Sequence, residues 1–190
     1  MTTIALLRHG QTDWNFAERI QGSSDISLND TGREQARVAG RRLGQFGATK
    51  IVSSPLDRAA ETAALAGAEF GVQGPDERLP DLAERAYGTA EGMPIAEMWE
   101  RWPNGVPDAE PELAVVARAR AALTDLAARM PNERVLAATH GGVIGRLLRS
   151  LPDSGFPSFP GQRVRNASTW VFEVEGDDIR FVEELPTADD

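Results

Sequence analysis

The stretch Thr2-Thr3-Ile4-Ala5-Leu6-Leu7-Arg8-His9-Gly10 decides how this chain is read. The run from Thr2 to Leu7 is apolar on both faces of an extended chain and ends abruptly in polar residues. That pattern predicts a central strand of a parallel sheet, covered on both sides. It recurs at Arg134 to Thr139, where Val135-Leu136-Ala137-Ala138 leads into His140-Gly141-Gly142. The chain has two histidines, and each stands where one of these strands ends. A parallel sheet presents its ligand site beyond the carboxyl ends of its strands, so both imidazoles are expected to face one crevice.

Helix and strand signals alternate outward from these anchors. Thr31 with Glu34 forms a capping-box pattern, and Ala36, Ala39, Leu43 and Phe46 follow as an apolar stripe that Gly47 should end. Ile51 and Val52 predict a short strand. Ser54, Pro55 and Asp57 then read as a cap, a first-turn proline and an early carboxylate of the next helix. Gly71, Gly74, Pro75 and Pro80 punctuate an irregular middle, followed by a short helix around Ile95 to Trp102 and a loop through Pro103, Gly105 and Pro107. Residues 80–110 are therefore expected to form a small cap-like insertion over the crevice. Leu113, Val116, Ala119, Leu123, Leu126 and Met130 give a long amphipathic helix that packs on the sheet, with Pro111 in its first turn. A further helix starts near Gly141, with Val143, Ile144, Leu147, Leu148 and Leu151 as its apolar face and first-turn amides suited to an anion. Thr169 to Val174 and Ile179 to Glu183, around Gly176-Asp177-Asp178, predict a late hairpin at the sheet's edge. The sum is an α/β fold: a single domain over 1–190, a three-layer α/β/α sandwich with a mostly parallel central sheet and a late antiparallel edge hairpin.

Composition narrows the function classes. There is no cysteine, which excludes disulfides, thiolate metal sites and a cysteine nucleophile, and fits a reducing cytoplasm. The opening apolar run is too short for a signal-peptide core or a membrane span, so a cytoplasmic protein with no membrane partner is expected. A net charge of −9 argues against nucleic acid as a partner. A small phosphate can still bind in a local arginine cluster. A monomer or a homodimer is expected.

The ordered blocks Arg8-His9-Gly10 with Thr12, Asn15 and Gln21-Gly22, then Ser54-Pro55-Leu56 with Arg58 and Thr62, then Glu84, Tyr87-Gly88 and Glu91-Gly92, and last His140-Gly141-Gly142, resemble the histidine phosphatase superfamily, or phosphoglycerate mutase-like family. The resemblance extends through nearly the whole chain and implies that family's fold. It implies His9 as the nucleophile, attacking phosphorus through a free ring nitrogen to form a phosphohistidine. It implies Arg8 and Arg58 as paired phosphate-binding guanidiniums, each able to match two oxygens. For Arg58, the adjacent Asp57 also fits a plain surface ion pair. His140 resembles the second family histidine, which stabilises phosphoryl charge; when protonated it adds positive charge there. Asn15 and Gln21 look like neutral phosphate contacts, or else loop caps, and Gly141 joins the phosphate-binding set. Glu84 resembles the carboxylate that protonates the leaving group and then activates water, with Asp81 and Glu91 as nearby competitors.

The implied reaction is metal-independent hydrolysis of a small phosphorylated metabolite, with inorganic phosphate as product and no cofactor. Two alternatives stand beside it: phosphoglycerate mutase-type transfer between hydroxyls, and a noncatalytic phosphate-binding or regulatory protein. The Arg-Arg and Lys-Tyr signals of dedicated mutases are missing after Glu84, which favours net hydrolysis. Pro107-Asp108-Ala109-Glu110-Pro111 only partly resembles the family's Gly-Glu-Ser segment, and Asn166-Ala167-Ser168 resembles a late family loop. Trp14, Trp99, Trp102 and Phe156 either line a substrate face or pack in the core. Loops near 103–107 and 152–161 are candidates for shaping access.

Overall fold

The computed structural model of the chain describes residues 1–156 and 164–185. In chain order the elements are β1 (Thr2–Arg8), α1 (Asp13–Phe16), α2 (Asp30–Leu43), β2 (Lys50–Ser53), α3 (Asp57–Glu69), β3 (Glu77–Arg78), α4 (Ile95–Arg101), α5 (Glu112–Arg129), β4 (Arg134–Thr139), α6 (Gly141–Arg149), β5 (Thr169–Glu175) and β6 (Asp178–Leu185). Short 3-10 turns lie at Pro80–Leu82 and Gly88–Ala90.

The sheet runs β3-β2-β4-β1-β5-β6. Its first four strands are parallel, and β5 and β6 close the far edge antiparallel. Alternation along β1 sends Ile4 and Leu6 to one face, where Leu123, Leu126, Ile144 and Leu147 of α5 and α6 cover them. It sends Ala5 and Leu7 to the other, against Ala39, Leu43, Ala59 and Ala63 of α2 and α3. Both faces are covered, which is why β1 and β4 carry continuous apolar runs. Each fully buried Leu or Ile there contributes about 1.5–3 kcal/mol by leaving water. The fold is the expected α/β sandwich, a mixed sheet with antiparallel edge strands.

Several element ends differ from expectation. The cap of α2 is Asn29, whose side chain accepts from the Gly32 amide, so Thr31 and Glu34 lie inside the helix rather than forming its capping box. Glu34 instead pairs with Arg41. That helix ends at Gly44, three residues before Gly47, which adopts a positive φ of 68°. α3 starts at Asp57 without a side-chain cap; Ser54 accepts from the Leu56 amide and turns its hydroxyl to His140. Pro111 occupies the cap position of α5, just ahead of its first turn. Among the described residues, no helix is long and apolar enough to cross a membrane.

The segment from Pro80 onward packs as a small unit against the loop after α1. Backbone hydrogen bonds tie Ile20 to Met93, Gly92 to Ile20 and Ile95 to Glu18. Ile20, Ala90 and Met98 form a separate apolar cluster, with Tyr87, Met93, Ile95, Trp102 and Val106 packed around it.

Candidate active site

The register of β1 against β4 pairs Arg8 with Thr139, so the next residue on each strand, His9 and His140, emerges side by side. The His9 amide continues the ladder by donating to Thr139 O at 3.0 Å. The ring centroids are 5.2 Å apart and tilted by 60°. His9 Nδ1 lies 2.7 Å from the Gly10 carbonyl. A carbonyl only accepts, so Nδ1 carries the proton and Nε2 keeps its lone pair. Burial, reinforced by the charges of Arg8 and Arg58, holds the His9 imidazole well below its ordinary value, against a weaker opposing effect of the Gly10 carbonyl. The ring is therefore neutral at neutral pH.

His140 stands deeper and is wholly buried. Its Nε2 lies 2.6 Å from Ser54 Oγ, while Nδ1 has no hydrogen-bond partner among the described residues. Burial, then Arg58, His9 and Arg8, push this imidazole well below its ordinary value too. The protonated form invoked from sequence is thus disfavoured here, and the fixed positive charge comes from the arginines.

Arg58 is fully buried. It donates from Nη1 to Ser24 O at 2.7 Å and from Nη2 to Gly22 O at 2.8 Å, with Asp25 3.5 Å away. Asp57, the ion-pair partner suggested by adjacency, pairs instead with Arg78 at 2.7 Å. Successive helical side chains point about 100° apart, so Arg58 faces inward while Asp57 faces out. Arg8 donates from Nη1 to Val164 O, and its side chain lies along Gly141: a Cβ there would come within 3.2 Å of Arg8 Nε.

The Asn15 Oδ1 accepts from the Thr12 amide and from Asn166 Nδ2, both at 3.2 Å, and the Thr12 hydroxyl reaches Gln21 Oε1 at 3.0 Å. Both amide oxygens are engaged within the protein. Their NH2 groups remain as donors on residues that line the cavity, which suits an anion. Glu84 accepts from the Arg85 amide at 2.8 Å and from the Gly142 amide at 3.0 Å. The first turn of α6, expected to hold an external anion, therefore gives one amide to this carboxylate. A Cβ at 142 would sit 2.2 Å from Glu84 Oε1, so any larger residue there displaces this carboxylate.

The competitor Glu91 has another task. It accepts from the amides and hydroxyls of Ser23 and Ser24 at 2.7–2.9 Å and from the Tyr87 amide at 3.0 Å. Burial pulls its carboxyl up, but these hydrogen bonds, led by Ser24, hold it below the usual carboxylate range. Glu91 thereby pins the loop whose carbonyls hold Arg58. Asp81 sits in the Pro80–Leu82 turn, away from the cavity wall.

Arg8, His9, Asn15, Gln21, Arg58, Glu84 and Gly141 all line one cavity of about 240 Å³. Gly22, Tyr87 and Gly142 of the motif blocks line it too, as do Arg19, Ile20, Ile95, Gly145, Arg149 and Val164, which sequence reasoning gave no place in the site; His140 lies behind the wall and does not line it. A second cavity of about 270 Å³ adjoins it, walled by Trp99, Trp102, Met98 and Val106 and sharing Ile20, Tyr87, Ile95 and Arg149 with the first. Trp14 lies beside Gly92, and Phe156 packs edge-on against Trp170 at 5.5 Å, so two of the four candidate aromatics line a wall and two pack elsewhere. Asp108 binds Thr89, and Glu110 binds Arg118 at 2.7 Å; this partial family segment braces the loop over the crevice. Positions 157–161 of the second access loop lie outside the described residues. Among the described residues, no group of three side chains is arranged to hold a metal.

Residues 4–184 match the family model of the histidine phosphatase superfamily (branch 1). The uncharacterized phosphatase PhoE of Bacillus subtilis is 38% identical over 168 residues, covering 88% of this chain and 86% of the relative. A probable phosphoglycerate mutase, GpmB of Yersinia pestis, is 31% identical across 100% of this chain and 99% of its own. Among solved structures, the mycobacterial glucosyl-3-phosphoglycerate phosphatase complexed with VO3 superposes with a TM-score of 0.81 at 30% identity, covering 95% and 96% of the two chains. Mycobacterial hydrolase 1 superposes at 0.83 and 29% identity, covering 98% and 99%.

Proposed function

The chain belongs to branch 1 of the histidine phosphatase superfamily, and from that premise we propose that it hydrolyses a small phosphomonoester through a phosphohistidine on His9. Phosphatase-type activity on a phosphorylated metabolite is what the family membership gives. The finer reading is supported above all by one observation: His9 Nδ1 is held on the Gly10 carbonyl, which leaves a neutral ring with its lone pair on Nε2 in a cavity that Arg8 and Arg58 also line.

In the first step Nε2 attacks phosphorus, and the bond from phosphorus to the ester oxygen breaks. The electron pair goes to that oxygen, which takes a proton from the Glu84 carboxylic acid. The Gly10 carbonyl steadies the positive charge that develops on the ring. Arg8 and Arg58, with the NH2 groups of Asn15 and Gln21 and the Gly141 backbone, hold the equatorial oxygens where charge accumulates. His140, set beside His9 by the register of β1 and β4, contributes as a neutral imidazole whose ring N–H donates. In the second step the Glu84 carboxylate takes a proton from water, and the water oxygen attacks phosphorus. The bond to nitrogen breaks, its electrons return to Nε2, and inorganic phosphate leaves. Residues 80–110 serve as the cap that walls the alcohol side of the single domain.

Phosphorus NMR of the protein with a panel of phosphomonoesters, including both phosphoglycerate isomers, in the presence of a divalent-metal chelator tests the reading. Inorganic phosphate is expected to accumulate. Interchange of the two isomers without phosphate release favours the mutase reading instead, and inertness toward the whole panel contradicts catalysis.

A further inference from the structure

We propose that Arg149 selects substrates that carry a second anionic group, a carboxylate or a further phosphate, on the alcohol portion, roughly one helical turn (~5.4 Å) from the transferred phosphoryl group. The inference rests on the phosphatase reading above and names the class of substrate for that site.

The argument starts from α6. Its N-terminus, Gly141 and Gly142, forms the floor of the phosphate cavity, and Gly145 lies one turn further along. A Cβ on Gly145 would come within 3.4 Å of Arg149 Nη1 and 3.9 Å of Nη2. The guanidinium therefore folds back along the helix toward the phosphate end, while the residue keeps one side exposed to solvent. It belongs to the wall of both cavities, so an alcohol leaving the phosphate cavity for the aromatic one passes it.

The neighbouring cations are already engaged. Arg146 donates to Glu112 at 2.9 Å and to Gly142 O at 3.1 Å. Arg85 donates to Glu110 O at 2.7 Å, and Arg19 to Gly92 O at 2.6 Å. Arg149 makes neither an ion pair nor a hydrogen bond among the described residues; its guanidinium lies 6.0 Å from the Phe156 ring centroid. In a chain of net charge −9, Arg149 stands at the mouth of both cavities beside Arg146 with no ion-pair partner among the described residues. Its planar fork matches the oxygens of a carboxylate or a phosphate, and a charge-assisted pair in a partly desolvated cleft is strong.

Steady-state kinetics on two matched pairs test this. In the first, 3-phosphoglycerate and glycerol 3-phosphate differ by a carboxylate in place of a hydroxymethyl. In the second, propane-1,3-diol bisphosphate and its monophosphate differ by the second phosphate. In at least one pair the charged member should have the higher kcat/KM, by roughly ten- to hundredfold, and which pair shows it identifies the anion. Arg149→Met should abolish that ratio, mainly through KM, and Arg149→Lys should restore part of it. Ratios near one in the wild type, or a ratio that survives Arg149→Met, overturn the inference and leave the phosphatase reading standing. Failure to hydrolyse any of the four compounds overturns both.

Discussion

The two ends of the crevice are made from different material. The phosphoryl end stands on the termini of central strands and on a buried helix: His9 is 2% exposed, and Arg58 and His140 are fully buried. The alcohol end is walled by α4 and the loops around it, where Trp99 is 49% exposed. A side chain held between packed layers has one position available, because interiors are close-packed and yield little. A side chain on a short helix and loops depends on a few local contacts, such as Asp108 with Thr89. The contrast separates two jobs. On the proposed reading, the rigid end carries the phosphoryl chemistry and the lighter end sets which alcohol enters.

The contrast predicts different kinetic signatures. Glu84→Gln, at the rigid end, keeps the shape of the carboxylate and removes its proton transfer, so kcat for alkyl phosphates should fall by roughly 10²–10⁴-fold. A loss below about threefold would remove Glu84 from the proton pathway. Trp102→Ala, at the lighter end, should instead raise KM for bulky alcohols by roughly two- to tenfold, the worth of one aromatic contact, with kcat and product inhibition by phosphate little changed. A collapse of kcat in that variant would mean that the two ends are mechanically one.

A pH experiment sharpens the rigid side with a smaller effect. Both histidines are held well below their ordinary value of 6.5, so the folded protein binds fewer protons than the unfolded chain in the window beneath it. Their contribution to stability is complete above about pH 6.5 and is lost as pH falls below it, by up to about 1.4 kcal/mol per pH unit for each ring. The depressed carboxylates Glu91 and Glu110 act the same way only lower, beneath their ordinary 4.5. Between pH 6.5 and 5 the denaturation free energy of the wild type should therefore fall more steeply than that of His9→Gln. Equal slopes would show that His9 titrates normally in the fold.

Much of the rigid end was legible because its causes are local. Burial on both faces writes a continuous apolar run into β1 and β4, and the strand ends then place both histidines. The inward turn of Arg58 was legible only through the motif around it; its neighbour Asp57 suggested a surface pair that Arg78 takes instead. The same motif carried Ser54, but the local pattern made it a helix cap, whereas its hydroxyl meets His140 from 86 residues away in sequence. Glu84 and Glu91 carry the same side chain seven residues apart. Only the fold shows that one grips the start of α6 and the other the Ser23-Ser24 loop. The lighter end was least legible, because Ile20, Tyr87, Ile95, Trp102 and Arg149 come from separate segments and no period links them.

The most direct test of the covalent mechanism is intact-mass analysis after rapid alkaline quenching of the enzyme turning over a phosphomonoester, with His9→Ala in parallel. A phosphate-sized increment located on His9, absent from the variant together with its turnover, is the predicted result. Full phosphatase activity in His9→Ala would contradict it.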